Sequence, residues 1–294
     1  MLWRTAAPAV FGVLLAVSGA AGAVATSHGQ NDPRRHVLDY EWIGDIDRSS
    51  FNEPSGIVYH PSRGTLFAVG DEGDICEIET DGSLVKQTRV RPADFEGITC
   101  DPRTGLLYVA IEGEEKILEI HPDDFRVLRE FAIDRTFQGK VLLAPGGQGV
   151  EAITFVPDDR HPHGGTFYLS NQAFSLDLPE DASIIFEVEL PLREKIPATA
   201  TAPILRYFSP GITDFAALHY DRESDHLYAV SDGNNLLVEM TRAGEPVDFW
   251  TFPGANQEGL AMDEAGFMYI AQDHGGIIKL KWRRQSGPEG KPAG

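Results

Sequence analysis

The chain has 294 residues, 45 of them acidic and 25 basic, giving a formal net charge of −20 at pH 7. Nucleic-acid binding draws most of its affinity from Lys and Arg neutralising phosphates, and an anionic membrane surface makes the same demand, so neither is an expected partner. Two cysteines, Cys76 and Cys100, fit no zinc or redox spacing; export would permit a disulfide, but two buried free thiols within strands are the preferred reading.

Residues 1–4 carry Arg4, and residues 5–25 form an apolar run without an acid that ends in Ala23-Val24-Ala25. A positive start, an apolar middle and a small-x-small finish describe a secretory signal peptide. An uncleaved anchor stays open, because the run approaches the ~20 residues a spanning helix needs; Pro8 and the many small residues favour cleavage. The protein is therefore expected in the periplasm or secreted, or else held to the inner membrane by this segment. The expected plan is a leader or anchor over 1–25, one domain over 36–284 and a flexible tail over 285–294.

An orphan strand over 37–46 precedes five segments that share one pattern. They are Glu53-Pro54-Ser55-Gly56-Ile57, Asp94-Phe95-Glu96-Gly97-Ile98, Gly149-Val150-Glu151-Ala152-Ile153, Asp214-Phe215-Ala216-Ala217-Leu218 and Asn256-Gln257-Glu258-Gly259-Leu260. Each is followed by a turn and a second strand (65–69, 106–110, 166–170, 226–230, 267–271), then a third (74–79, 116–120, 184–190, 236–240, 277–281). Short β-branched and aromatic runs between turn residues are strand signals, and no segment has helical periodicity. The shared Gly or Ala positions are 41, 55, 65 and 42 residues apart, close to the ~40–50 residues of a four-stranded propeller blade.

The last repeat has three strands before the tail begins. Placing the 37–46 strand on its outer edge supplies the fourth and covers an edge that would otherwise invite aggregation. The expected fold is thus all-β, a five-bladed β-propeller closed by the N-terminal strand. A six-bladed ring is the alternative, with the extra blade hidden in 135–148 or 191–201. Neither segment carries the repeat signature, so both read as loops or insertions.

In a propeller the first strand of each blade lines the channel. The residue before each Gly or Ala then lies at one mouth: Ser55, Glu96, Glu151, Ala216 and Glu258. Two residues earlier, nearer the rim, stand Glu53, Asp94, Gly149, Asp214 and Asn256. The antiparallel second strand returns to the same mouth at Asp71, Glu112, Asn171, Asp232 and Asp273. Thirteen of these fifteen positions are polar and ten are carboxylates. Converging carboxylates repel one another and are driven to protonate unless a cation compensates. Calcium takes about 6–8 oxygen ligands in flexible geometry, whereas the lack of Cys or a His cluster here disfavours zinc and copper. Glu96, Glu151, Asp214 and Glu258 are the expected Ca2+ ligands. Glu53, Asp71, Asp94, Glu112, Asn171, Asp232 and Asp273 would line the ligand site around them. The plainer alternative is that these acids cap strand ends.

Other motifs are weaker. Gly146-Gly147-Gln148-Gly149 lacks the Lys of a phosphate loop and reads as a turn. His161-Pro162-His163 reads as a solvated pair. No nucleophile elbow and no H-E-x-x-H occurs, and His274 beside Asp273 is a candidate base only for a hydrolase.

The runs "EPSGIVYHPSRGTLFAVGDEGDICEIETDGSLVKQTRV", "DFEGITCDPRTGLLYVAIEGEEKILEI" and "NQEGLAMDEAGFMYIAQD" resemble the SdiA-regulated (YjiK-like) bacterial proteins. The resemblance implies a cell-envelope β-propeller, often with bound calcium and without established catalysis. More distantly, the chain is similar to phytase-like esterase and lactonase-type propellers. Ala216 departs from the repeat, so no carboxylate ring of full symmetry is implied. Two functions follow: a monomeric calcium-binding envelope protein that takes a small molecule or another envelope protein, or a calcium-dependent hydrolase of phosphoesters, esters or lactones.

Overall fold

The computed structural model describes residues 34–46, 53–145, 148–176, 183–195, 199–273 and 276–284. The leader or anchor over 1–25, the tail over 285–294, the Gly146-Gly147 pair and His274 lie outside the described residues. Among those described, every element is a strand.

Five antiparallel sheets form a five-bladed β-propeller. Blade one is Pro54–His60, Thr65–Gly70, Asp74–Ile78 and Leu84–Arg89; blade two is Phe95–Cys100, Leu107–Ile111, Lys116–Ile120 and Val127–Ile133. Blade three is Val150–Pro157, Gly165–Asn171, Ile185–Val188 and Ile204–Phe208; blade four is Phe215–Asp221, His226–Ser231, Leu236–Thr241 and Pro246–Thr251. Blade five is Gln257–Met262, Phe267–Gln272, Gly276–Trp282 and, from the N-terminus, Tyr40–Asp45. The first strands stand side by side around the channel, and that of blade five returns to that of blade one.

The closing strand differs from expectation at its start. Tyr40–Asp45 pairs antiparallel with Gly276–Trp282, but Arg35–Val37 pairs in parallel with Pro246–Thr251 of blade four. The N-terminal segment therefore stitches two blades together, with Leu38 buried between them. The two insertions, 135–148 and 191–201, each contribute strand residues. Thr199–Ala202 adds a fifth, parallel strand to blade two, and Thr136–Phe137 with Lys140–Val141 makes a small hairpin. No sixth blade forms among the described residues.

The shared Gly or Ala has a steric reason. A Cβ on Gly56 would lie 2.3 Å from the carbonyl oxygen of Glu96, and one on Gly97 would lie 2.6 Å from the Ile153 nitrogen. Neighbouring first strands approach too closely for a side chain there. Between the blades, buried aromatics fill the space: Phe67, Tyr108, Tyr168, Tyr228 and Tyr269 occupy one position of the five second strands. Cys76 and Cys100 are buried and not disulfide-bonded, as the sequence suggests.

Candidate metal centre at the acidic mouth

Each first strand carries a register shift next to its Gly or Ala. Pairing jumps from Pro54 to Gly56, Phe95 to Ile98, Val150 to Ala152, Phe215 to Ala217 and Gln257 to Gly259. The residue skipped in each case is the mouth position: Ser55, Glu96 (with Gly97), Glu151, Ala216 or Glu258. A bulge of this kind re-aims a side chain, and here it does so at the same point in all five blades. Glu53, Asp214 and Asn256, which precede three of the bulges, adopt left-handed φ of 55°, 61° and 53°. Backbone bonds then lock the two strands together. The amides of Glu112, Asp232 and Asp273 donate to the carbonyls of Asp94, Asp214 and Asn256 at 3.0, 3.1 and 2.9 Å.

The acids divide by task. Asp71, Asp94 and Glu96 each place a carboxylate oxygen within 4.8 Å of the other two. The sequence assigned only Glu96 of these three to the metal. Ser55 donates its hydroxyl to Asp71 and orients it. Glu112, by contrast, accepts the Gly149 amide at 3.0 Å, and Asp232 accepts the Gln257 amide at 2.8 Å. The Asn171 side-chain oxygen accepts the Ile184 amide at 2.9 Å, and Asp214 accepts the Gly233 amide at 2.7 Å. These last four are at least partly strand-end caps. Asp273 is one of the acids whose charge raises Glu258, and Glu53 precedes the Ser55 bulge in its left-handed conformation.

The acids of the mouth crowd one another: Glu96, Glu151 and Asp214 are buried, and Asp94 and Glu258 are half-buried. Burial first, then Glu151 and Asp94, push Glu96 up to about 11; burial, then Asp71 and Glu112, push Asp94 up to about 6. Burial and the nearby Asp232 and Asp214 push Glu258 up to about 8. Burial and Glu258 hold Glu151 well above the usual carboxylate range, and burial and Asp232 raise Asp214. One buried Glu258 oxygen, Oε2, has no hydrogen-bond partner.

The same protein shows how it treats buried acids elsewhere. Third-strand Glu77 is paired with Arg63 at 2.8 Å and Lys86 at 3.2 Å, Glu119 with Arg129 at 2.5 Å and Glu187 with Arg206 at 2.5 Å. Glu239 meets His226 at 2.6 Å. Among the described residues, no ion pair reaches Asp71, Asp94, Glu96, Glu151 or Glu258. An all-oxygen donor set suits a hard cation, and oxygens up to 4.8 Å apart can share one ion at the 2.3–2.6 Å typical of calcium. The residues present therefore fit calcium.

Sequence reasoning missed two features. His161 and His163 are not solvated: both rings sit 3.5 Å from Glu189, with side-chain exposures of 20% and 13%. Glu115, in a left-handed turn, ties blade two to blade three by accepting the Val150 amide at 3.0 Å while pairing with Arg135 at 3.3 Å. No local pattern announces either one, because both depend on contacts between elements distant in sequence.

The SdiA-regulated family model matches residues 37–274. The chain belongs to the SdiA-regulated family. In three dimensions this family member is similar to glutaminyl cyclase from Myxococcus xanthus, with 14% identity and a TM-score of 0.57 over 85% of this chain and 97% of that one. It is also similar to the Cps50 (Swd1) β-propeller domain of Myceliophteria thermophila, with 10% identity and a TM-score of 0.47 over 84% of this chain and 100% of that one. At 14% identity the likeness to the cyclase is one of fold.

Proposed function

We propose that this SdiA-regulated protein is an exported, calcium-binding propeller. In this reading its acidic mouth holds a divalent ion and offers it to a small molecule or another envelope protein. One contrast carries the reading. Buried acids on the third strands each have a cationic partner, whereas buried Glu96 converges with half-buried Asp94 and exposed Asp71, and none of the three has a cationic partner among the described residues. Carboxylates so placed must either protonate or bind a cation. Asp71, Asp94 and Glu96 would be the primary ligands, with Glu151 and Glu258 supplying charge from the neighbouring blades. When bound, the ion supplies a Lewis-acidic point that can draw in an anionic or carbonyl oxygen despite the net charge of −20.

The test is isothermal titration of chelator-treated protein with CaCl2, alongside elemental analysis of protein as purified. The expected result is one bound Ca2+ per chain, with magnesium weaker because it demands tighter octahedral geometry. Asp94→Asn and Glu96→Gln should each remove most of the affinity. Export is tested separately, by N-terminal sequencing of protein recovered from the envelope of a Gram-negative host, with a new terminus near Ala25.

A further inference from the structure

The opposite mouth of the channel has a different chemistry. There, where the first strands end, lies a cavity of about 920 Å³ to which all five blades contribute. Its walls include Tyr59, Phe155, Tyr220, Met262, Phe267 and Trp282. The charged groups beside them answer one another. Arg284 pairs with Asp221 at 2.8 Å and lies 4.4 Å above the Trp282 ring; Arg283 pairs with Glu41 at 3.2 Å. Asp263 accepts the Phe267 amide and the Tyr269 hydroxyl, both at 2.9 Å, while Lys281 donates to the Ala265 carbonyl. Arg222, Glu223 and Glu264 stay exposed at the rim.

Besides the Tyr59 hydroxyl, one polar side chain on this wall stands without a partner among the described residues. Two residues beyond the shared Gly or Ala, Thr99 accepts the Phe155 amide and Thr154 accepts the Tyr220 amide, each at 3.0 Å, tying a blade to the next. Blade four has His219 at that position. Its ring lines the cavity, and among the described residues no hydrogen bond or ion pair reaches it. Burial pushes this imidazole down to about 4, with Asp221 pulling the other way. It is therefore neutral at physiological pH, with one donor and one acceptor nitrogen.

We propose that this second mouth is a binding site for an uncharged, planar aromatic molecule bearing a hydroxyl or amide, which packs among the aromatic walls and hydrogen-bonds to His219. The volume falls in the ordinary range for small-molecule sites, and aromatic walls with a convergent neutral polar group inside a charged rim are how such sites achieve both affinity and orientation. The site is independent of any ion at the acidic mouth.

The test uses three fluorescent probes of one shape: 2-naphthol, 2-methoxynaphthalene and 2-naphthoate. Wild-type protein should bind one 2-naphthol saturably, in chelator and in calcium alike. It should bind 2-methoxynaphthalene, which cannot donate, about tenfold more weakly, as loss of one hydrogen bond predicts. The charged naphthoate should bind weakest. His219→Leu keeps the bulk and should make naphthol and methoxynaphthalene bind alike. Ala265→Trp, at an exposed rim position, should weaken all three without changing the melting temperature. Non-saturable binding by wild type, or a naphthol preference that survives His219→Leu, would overturn the proposal.

Discussion

Glu112 accepts the backbone amide of Gly149 at 3.0 Å, so an acid at the end of one blade's second strand fastens the first strand of the next. Glu112→Ala leaves that buried amide without its acceptor and should cost about 1–3 kcal/mol of stability. Glu112→Gln retains an acceptor oxygen and should cost less. Both variants should keep the calcium response in a thermal melt. A variant of unchanged stability that no longer responds to calcium would move Glu112 from the joint to the metal.

The pH dependence of the ion-free protein follows from the raised carboxylates. A folded-state pKa above the unfolded value means the native state holds more protons, so stability is greatest below the unfolded pKa and falls as pH rises through the folded one. Asp94, at about 6, and Glu258, at about 8, set the window. Chelated protein should therefore lose stability between about pH 5 and pH 8, and calcium should abolish most of that slope. Urea titrations across this range, with and without calcium, give the answer. A chelated protein that grows more stable over the window would contradict the assigned burial of these acids.

Calcium binding should also release protons, because its ligands must be ionised. At pH 6.5 the titration heat should differ between buffers of different ionisation enthalpy, and calcium affinity should rise toward pH 8. Binding without proton release would place the ion on acids outside the buried cluster.

The N-terminal segment makes two separable closures. Truncation just before Tyr40 removes the parallel pairing of Arg35–Val37 with blade four but leaves blade five complete. This variant should still unfold cooperatively, at a lower temperature. Truncation after Asp45 bares the edge of Gly276–Trp282 and should produce aggregation or loss of cooperativity. Equal behaviour of the two would contradict this division of roles.

Much of the fold is legible in the sequence because steric demands recur with the blades. The Gly or Ala at Gly56, Gly97, Ala152, Ala217 and Gly259 marks the close approach of first strands, and the aromatic at Phe67, Tyr108, Tyr168, Tyr228 and Tyr269 marks the space between blades. Outer strands are less visible. Leu84–Arg89 and Thr199–Ala202 are half-exposed edges with no strict pattern to preserve, so their pairing is decided by what lies beside them. The acidic character of the mouth is equally plain in one dimension, but its division of labour is not. Whether an acid meets a backbone amide, as Glu112 and Asp232 do, or other carboxylates, as Asp71, Asp94 and Glu96 do, depends on the bulges and on which blade comes next around the ring.

The most direct measurement is the melting temperature of chelator-treated wild type and of Asp94→Asn and Glu96→Gln, each with and without saturating calcium. A ligand confined to the native state stabilises by about 2.7 kcal/mol at 100 times its dissociation constant. For a domain of this size that corresponds to a rise of several degrees. Wild type should show that rise. The two variants, relieved of repulsion, should melt at or above chelated wild type and respond little to calcium. A wild type that melts at one temperature in chelator and in calcium, and carries no divalent ion by elemental analysis, would contradict the metal centre and leave these acids as strand-end caps.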